Sequence, residues 1–203
     1  EIMKYSTLYL SSFQHCTMYS MWEPNTEVYR MTLHSHDHIA SMCKEAEPIS
    51  NCVFDVFHYL NYPKVWTEAL MNKKLLIVSP YAKEIESNIS QREKVYGRDL
   101  FPDCSFVCIT TPDTQNNGMK QEHNQVVQEF YKNCVNEKDY DVALINWEGY
   151  ENMLCKEIYD SGKSAIYIGR VLQMYFGVYD TTWMKERPDI FKMYLNDGWK
   201  RII

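Results

Sequence analysis

The sequence predicts an α/β fold, doubly wound around a mainly parallel, Rossmann-like sheet, with a helical, aromatic-rich part at its N-terminal end. Three observations carry this. Four short apolar runs recur after residue 73: Leu75-Leu76-Ile77-Val78, Phe106-Val107-Cys108-Ile109, Val142-Ala143-Leu144-Ile145 and Ala165-Ile166-Tyr167-Ile168. Strands covered on both faces read this way, because neither face meets water. Segments of helical spacing separate the runs, and strand, helix, strand repeated three times implies right-handed crossovers and a parallel sheet. Before residue 73 the texture differs, being rich in aromatics, His and Met.

In chain order, the first part holds Pro24, Pro48 and Pro63 as breakers, and helices are expected at about 36 to 46, 50 to 60 and 64 to 71. Residues 1 to 72 are expected to pack on an α/β core of residues 73 to 203, the two making one domain. After the first strand, residues 81 to 96 carry Lys83, Glu84, Glu86, Arg92, Glu93 and Lys94, a solvated helix. Residues 119 to 137 align Val126, Val127, Phe130, Tyr131 and Cys134 on one helical face, and residues 148 to 160 do the same with Met153, Leu154 and Ile158. Ser161-Gly162 then stops that helix, and Lys163 leads into the fourth strand.

With 203 residues the chain can bury roughly 70% of its unfolded surface, so the core needs no staples of disulfide or metal. The formal charge is −6 and the basic residues are scattered, which speaks against nucleic acid or an anionic membrane as main partner. Seven cysteines without a CxxC pair are expected as reduced thiols in a cytoplasmic setting. No apolar stretch approaches the roughly 20 residues of a membrane span. The opening Glu1-Ile2-Met3 is expected of a domain excised from a longer polypeptide, whose neighbouring domains would then be partners.

In open parallel sheets, ligands bind beyond the carboxyl ends of the strands. Those ends are Ser79-Pro80-Tyr81, Thr110-Thr111-Pro112-Asp113, Asn146-Trp147-Glu148-Gly149-Tyr150 and Gly169-Arg170. Helix N-termini at Tyr81, Glu148 and Gly169 would aim N–H groups at a phosphate or diphosphate, and Arg170 would add a guanidinium. A turn glycine followed by a surface cation is the competing account of Gly169-Arg170. Gln173 follows on the same helix and faces the site if the first turn of that helix points inward.

Several motifs fail. No GxGxxG follows a strand and no GxxxxGK[ST] exists, so no dinucleotide, PLP or haem is expected, and P-loop chemistry is excluded. Gly162-Lys163-Ser164 precedes a strand instead of opening a helix, and Asp139-Tyr140-Asp141 enters a strand at its amino end, the wrong edge for a ligand. His34-Ser35-His36-Asp37-His38 is the densest set of potential ligands, and Asp37 either joins a Zn²⁺ or Mn²⁺ site or caps a helix starting at His38.

From Asp141 to Trp183 the residues carry a resemblance. Asp141-Val142-Ala143-Leu144-Ile145, Glu148-Gly149-Tyr150, the run from Gly162 to Gly169, Leu172-Gln173, Phe176-Gly177 and Trp183 resemble a family of sugar-transfer proteins from polysaccharide gene clusters. That family is similar to the GT-D type of glycosyltransferase. Upstream, Trp66, Lys73-Lys74-Leu75-Leu76-Ile77-Val78-Ser79-Pro80-Tyr81 and Ile85 resemble a further segment of it, so the similarity spans roughly residues 66 to 185. The same segments also resemble domains of multidomain enzymes from large, chlorovirus-like DNA viruses. Arg170 stands where the family commonly has a second Gly, and Trp147 where it has a Gly before the turn. Of the family's Arg-Phe-Gly and acidic pair, Arg30 and Asp37 are the nearest counterparts.

The resemblance implies transfer of a sugar from a nucleoside-diphosphate donor to a glycan acceptor, with Mn²⁺ or Mg²⁺ at Asp37. Its viral setting implies a deoxyhexose such as rhamnose. A transferase needs donors at the diphosphate and a carboxylate to take the acceptor proton. Arg170 with Gly169 fits the first role and Glu148 the second, with partial desolvation beside Trp147 and Tyr150 raising its pKa; a plain helix cap is the alternative for Glu148. Ser79, Tyr81, Thr111, Asn146, Trp147, Gly149, Tyr150 and Gln173 complete the expected donor site, and Tyr81, Trp147, Tyr150 and Trp183 offer rings for stacking, while each taken alone is more often a core residue. A non-catalytic nucleotide-sugar or glycan-binding module would use the same crevice. A structural interaction domain is the third possibility, in which the aromatic N-terminal part covers a partner.

Overall fold

The structure, a computed structural model, describes residues 2–21, 27–43, 45–61, 66–114 and 123–202. The N-terminal part begins with helix α1 (Ile2–Ser12), strand β1 (Met18–Met21), helix α2 (Glu27–Met42), strand β2 (Glu47–Ser50) and helix α3 (Val56–Asn61). β1 and β2 pair in parallel, with Met18 opposite Glu47, so β1-α2-β2 is a small crossover unit of its own. Pro48 fits there because a two-stranded ladder has an open edge that does not use every N–H.

This part departs most from expectation. α2 starts nine residues before the expected 36, and the expected 50 to 60 helix is a 3₁₀ turn (Asn51–Phe54) followed by α3. A 3₁₀ turn at Trp66–Leu70 stands in for the expected 64 to 71 helix, whose residues 64 and 65 lie outside the described residues. α1 and the β1–β2 pair carry no periodic signature in the sequence. α1 forms because Tyr5 and Leu8 on one face pack against the core beneath α6 and α7, defined below.

The core is a four-stranded parallel sheet of β3 (Lys74–Ser79), β4 (Ser105–Thr110), β5 (Val142–Ile145) and β6 (Ser164–Tyr167), in spatial order β4-β3-β5-β6. From β3 the chain crosses to β4 through α4 (Ala82–Asn88), a 3₁₀ turn and α5 (Arg92–Tyr96), which ends at Gly97 in the left-handed region. It then returns past β3 through α6 (His123–Phe130), extended by a π turn at Tyr131–Val135, to β5, and through α7 (Glu151–Asp160) to β6. A reversal of direction with right-handed crossovers puts the two sets of helices on opposite faces. Successive strand residues serve the two faces: Leu75, Ile77 and Leu144 pack with Ile85 and Val95, whereas Leu76, Val78, Ala143 and Ile145 pack with Val127, Phe130 and Leu154. The sheet is doubly wound, as the four apolar runs predict.

Beyond β6 come a 3₁₀ turn (Gly169–Val171), α8 (Leu172–Tyr175), β7 (Val178–Tyr179), α9 (Thr181–Glu186), α10 (Pro188–Tyr194) and β8 (Lys200–Arg201), which pairs in parallel with β7. They complete the core on the α4–α5 face. Gly177 has φ +68°, and a Cβ there would lie 2.5 Å from Val95 Cγ2, so both backbone and space require glycine. The buried Asn88 amide ties α4 to this segment by donating to the carbonyls of Phe176 (2.6 Å) and Gly198 (2.9 Å). Among the described residues no helix is long and apolar enough to cross a membrane.

Candidate functional site

The strand order places a switch point between β3 and β5. Connections leave these neighbours toward opposite sides of the sheet, and the carboxyl ends on either side of such a point are where open parallel sheets form a ligand crevice. Ser79 is its centre. The Ser79 carbonyl accepts from the Thr111 amide (3.3 Å), its Oγ accepts from the Tyr81 amide (3.1 Å), and the Asn146 side-chain amide stands 3.5 Å from that Oγ. Asn146 N donates to Val78 O at 2.8 Å. Thus three of the four strand ends in the sequence-derived set converge on one serine. Ser79, Thr111 and Asn146 are all buried, so they form the floor that fixes the loops.

Above the floor stands a cluster of charges. Arg170 Nε lies 4.0 Å from Glu148 Oε1, and Arg170 Nη2 lies 3.4 Å from Asp180 Oδ2. The guanidinium also sits 5.4 Å from the Trp183 ring centroid, a cation–π contact. Asp180 is held as the N-cap of α9, its Oδ1 accepting from the Trp183 amide at 2.8 Å. Burial pushes the Tyr81 phenol up; the charges of Asp180, Glu148 and Glu84 push the same way, against Arg170. Tyr81, Glu148 and Arg170, expected from three separate loops, therefore share one electrostatic environment.

Other expected residues are elsewhere. Trp147 is buried, stacked on Tyr150 at 5.0 Å and edge-on to Phe130 at 5.0 Å, within the α6–α7 face of the core. With the Trp147 and Tyr150 rings turned inward, they do not cover the Glu148 side chain, which is 56% exposed. Gln173 is fully buried on α8, and among the described residues neither its Oε1 nor its Nε2 has a hydrogen-bond partner. Gly149 (φ +82°) makes the turn after Glu148, and its carbonyl accepts from the Tyr5 hydroxyl of α1.

The helix N-termini also differ from expectation. α7 begins at Glu151, not Glu148; Tyr150 is its N-cap, with no side-chain capping bond, and the Glu151 carboxylate accepts from the Tyr150 amide at 3.0 Å. Tyr81 is the N-cap of α4, its amide engaged by Ser79, and Gly169 opens a 3₁₀ turn. Asp37 is exposed in the middle of α2, so it caps nothing. Among the described residues no group of three or more His, Cys, Asp or Glu is arranged to hold a metal ion.

Sequence reasoning missed Asp180, Glu151 and Tyr167. Asp180 precedes Thr181-Thr182-Trp183, an N-cap signal that was there to be read. Glu151 is 5% exposed, and its burial raises its pKa despite hydrogen bonds from Tyr167 and the backbone, with Glu148's charge adding to the rise. The tyrosines that interact with it come from other segments, and no local pattern marks them. Compared with protein-family models, with curated proteins and with solved structures, the chain matches none.

Proposed function

We propose that the chain is a glycosyltransferase that moves a sugar, a deoxyhexose such as rhamnose on the resemblance described above, from a nucleoside-diphosphate donor to a glycan acceptor. The observation that carries this reading is the Arg170–Glu148 pair, 4.0 Å apart above the switch point of an open parallel sheet. A diphosphate leaving group needs a cation, and an acceptor hydroxyl needs a base, on either side of the reacting carbon.

Asp180 and the Trp183 ring hold Arg170 from behind. The Glu148 contact is long and half-exposed, the kind of ion pair that contributes about 0–1 kcal/mol, so a diphosphate can displace it. Displacement leaves Glu148 beside the donor, in position to accept a proton. The acceptor oxygen then bonds to the anomeric carbon as the bond from that carbon to the diphosphate breaks; Glu148 takes the hydroxyl proton and Arg170 stabilises the negative charge on the departing nucleoside diphosphate.

The second reading, a non-catalytic nucleotide-sugar or glycan-binding module, draws support from the same pair, because an exposed Glu148 beside Arg170 is also an ordinary surface ion pair. A thermal-shift panel of UDP, GDP, TDP and CDP tests what both share, since ligand bound to the native state raises the midpoint by mass action. A selective rise with one base supports nucleotide recognition and names the donor class. No shift with any of them removes both and leaves an interaction domain.

A further inference from the structure

Away from the crevice, three cysteines from distant parts of the chain meet where the N-terminal unit joins the core. Cys16 follows the 3₁₀ turn Phe13–His15 and precedes β1; Cys43 follows α2 and precedes β2; Cys155 lies on α7. The carbonyl of buried Phe13 is the common point, accepting from the Cys16 amide at 3.3 Å and from the Cys43 thiol at 3.6 Å. The Cys16 thiol donates to Ser12 O at 3.7 Å, and the Cys16 and Cys43 side chains lie close enough to influence each other's titration. Cys155 interacts with Cys16 through charge alone, and the three do not compose a metal site.

We propose that Cys16 and Cys43 form a redox-modifiable pair whose disulfide closes a ring around β1 and α2. Cys16 is half-buried whereas Cys43 is 4% exposed, which sets the order of events. With a small-molecule disulfide such as oxidised glutathione, the Cys16 thiolate attacks one sulfur and releases one glutathione thiolate, which takes up a proton. Cys43 gives its proton to solvent and attacks Cys16 Sγ, releasing the second glutathione. Two protein thiols are oxidised, one glutathione disulfide is reduced to two thiols, and the chain loses two hydrogens. Burial, and then the neighbouring Cys43, push the Cys16 thiol up to about 11, so the pair is inert at neutral pH on short exposure and closes faster as pH rises. The bridge would close a ring of roughly 27 residues, long enough to restrict the unfolded chain strongly.

The test is oxidation of the intact chain carrying Cys52→Ser, which removes an exposed competing thiol, in oxidised glutathione at pH 7 and pH 9. Peptide mapping without reductant should find Cys16 linked to Cys43, formed faster at pH 9. The thermal midpoint should rise by about 5–10 °C and return on reduction. Cys16→Ser should abolish the rise while leaving the reduced chain folded by circular dichroism. A Cys16–Cys155 link, or Cys16 and Cys43 that both remain alkylatable after prolonged oxidation at pH 9, overturns the proposal.

Discussion

Replacing Glu148 by Gln separates binding from chemistry with a sign that the geometry dictates. The substitution removes a negative charge 4.0 Å from Arg170 Nε, in a pair whose side chains are 56% and 36% exposed. At that separation two unit charges attract by about 1 kcal/mol in bulk water, and exposed pairs deliver about 0.2–1 kcal/mol. In the unliganded chain this attraction competes with a diphosphate for the guanidinium. Glu148→Gln should therefore bind the preferred nucleoside diphosphate as tightly as the parent or up to about fivefold more tightly, whereas sugar transfer should fall about 10²-fold or more. Titration calorimetry with UDP, GDP, TDP and CDP, at low salt and again at 0.15 M, reads the first effect; single-turnover transfer reads the second. A tenfold weakening of binding would refute the competition argument, because Glu148 would then be contacting the ligand itself. Unchanged transfer would leave Arg170 as a binding group and remove Glu148 as the base.

Gly177→Ala should cost about 2–5 kcal/mol, combining about 1–2 kcal/mol for a left-handed backbone with about 1–3 kcal/mol for overpacking, because its Cβ would stand 2.5 Å from Val95 Cγ2; a denaturant midpoint equal to the parent's would contradict the tight approach. Asn88→Ala orphans the carbonyls of Phe176 and Gly198 and should destabilise by about 1–3 kcal/mol, read in the same titration. Glu151 has a folded pKa raised above its ordinary 4.5, so its stabilising contribution is complete below pH 4.5 and is lost as pH rises through the folded value. Glu151→Gln should accordingly match the parent in unfolding free energy at pH 4 and exceed it at pH 7.5; an equal difference at both pH values would remove the linkage.

The crevice owes its legibility to the doubly wound sheet. Ser79, Thr111, Asn146, Glu148 and Arg170 could be named from the carboxyl ends of four apolar runs, because chain direction and strand order decide which edge carries loops toward a ligand. What the side chains do at that edge was not legible. Trp147 and Tyr150 read as rings for stacking, yet they turn into the α6–α7 face, where burying an aromatic surface outweighs exposing it, and they leave Glu148 in water. Gln173 would face the site if the first turn of its helix pointed inward, and it is buried on α8.

Local chemistry by itself determined the strands β3 to β6, the crossover helices between them and the Asp180 cap, since each depends on periodicity or on a contact within three residues. Tertiary structure alone decided the N-terminal unit and the charged environment of the site. β1 and β2 are four residues each and gain their order from pairing across α2, and Glu151 interacts with Tyr5 and Tyr167, which local spacing does not relate to it. Such contacts join segments that sequence spacing does not relate, so their energies enter only when the chain has closed on itself.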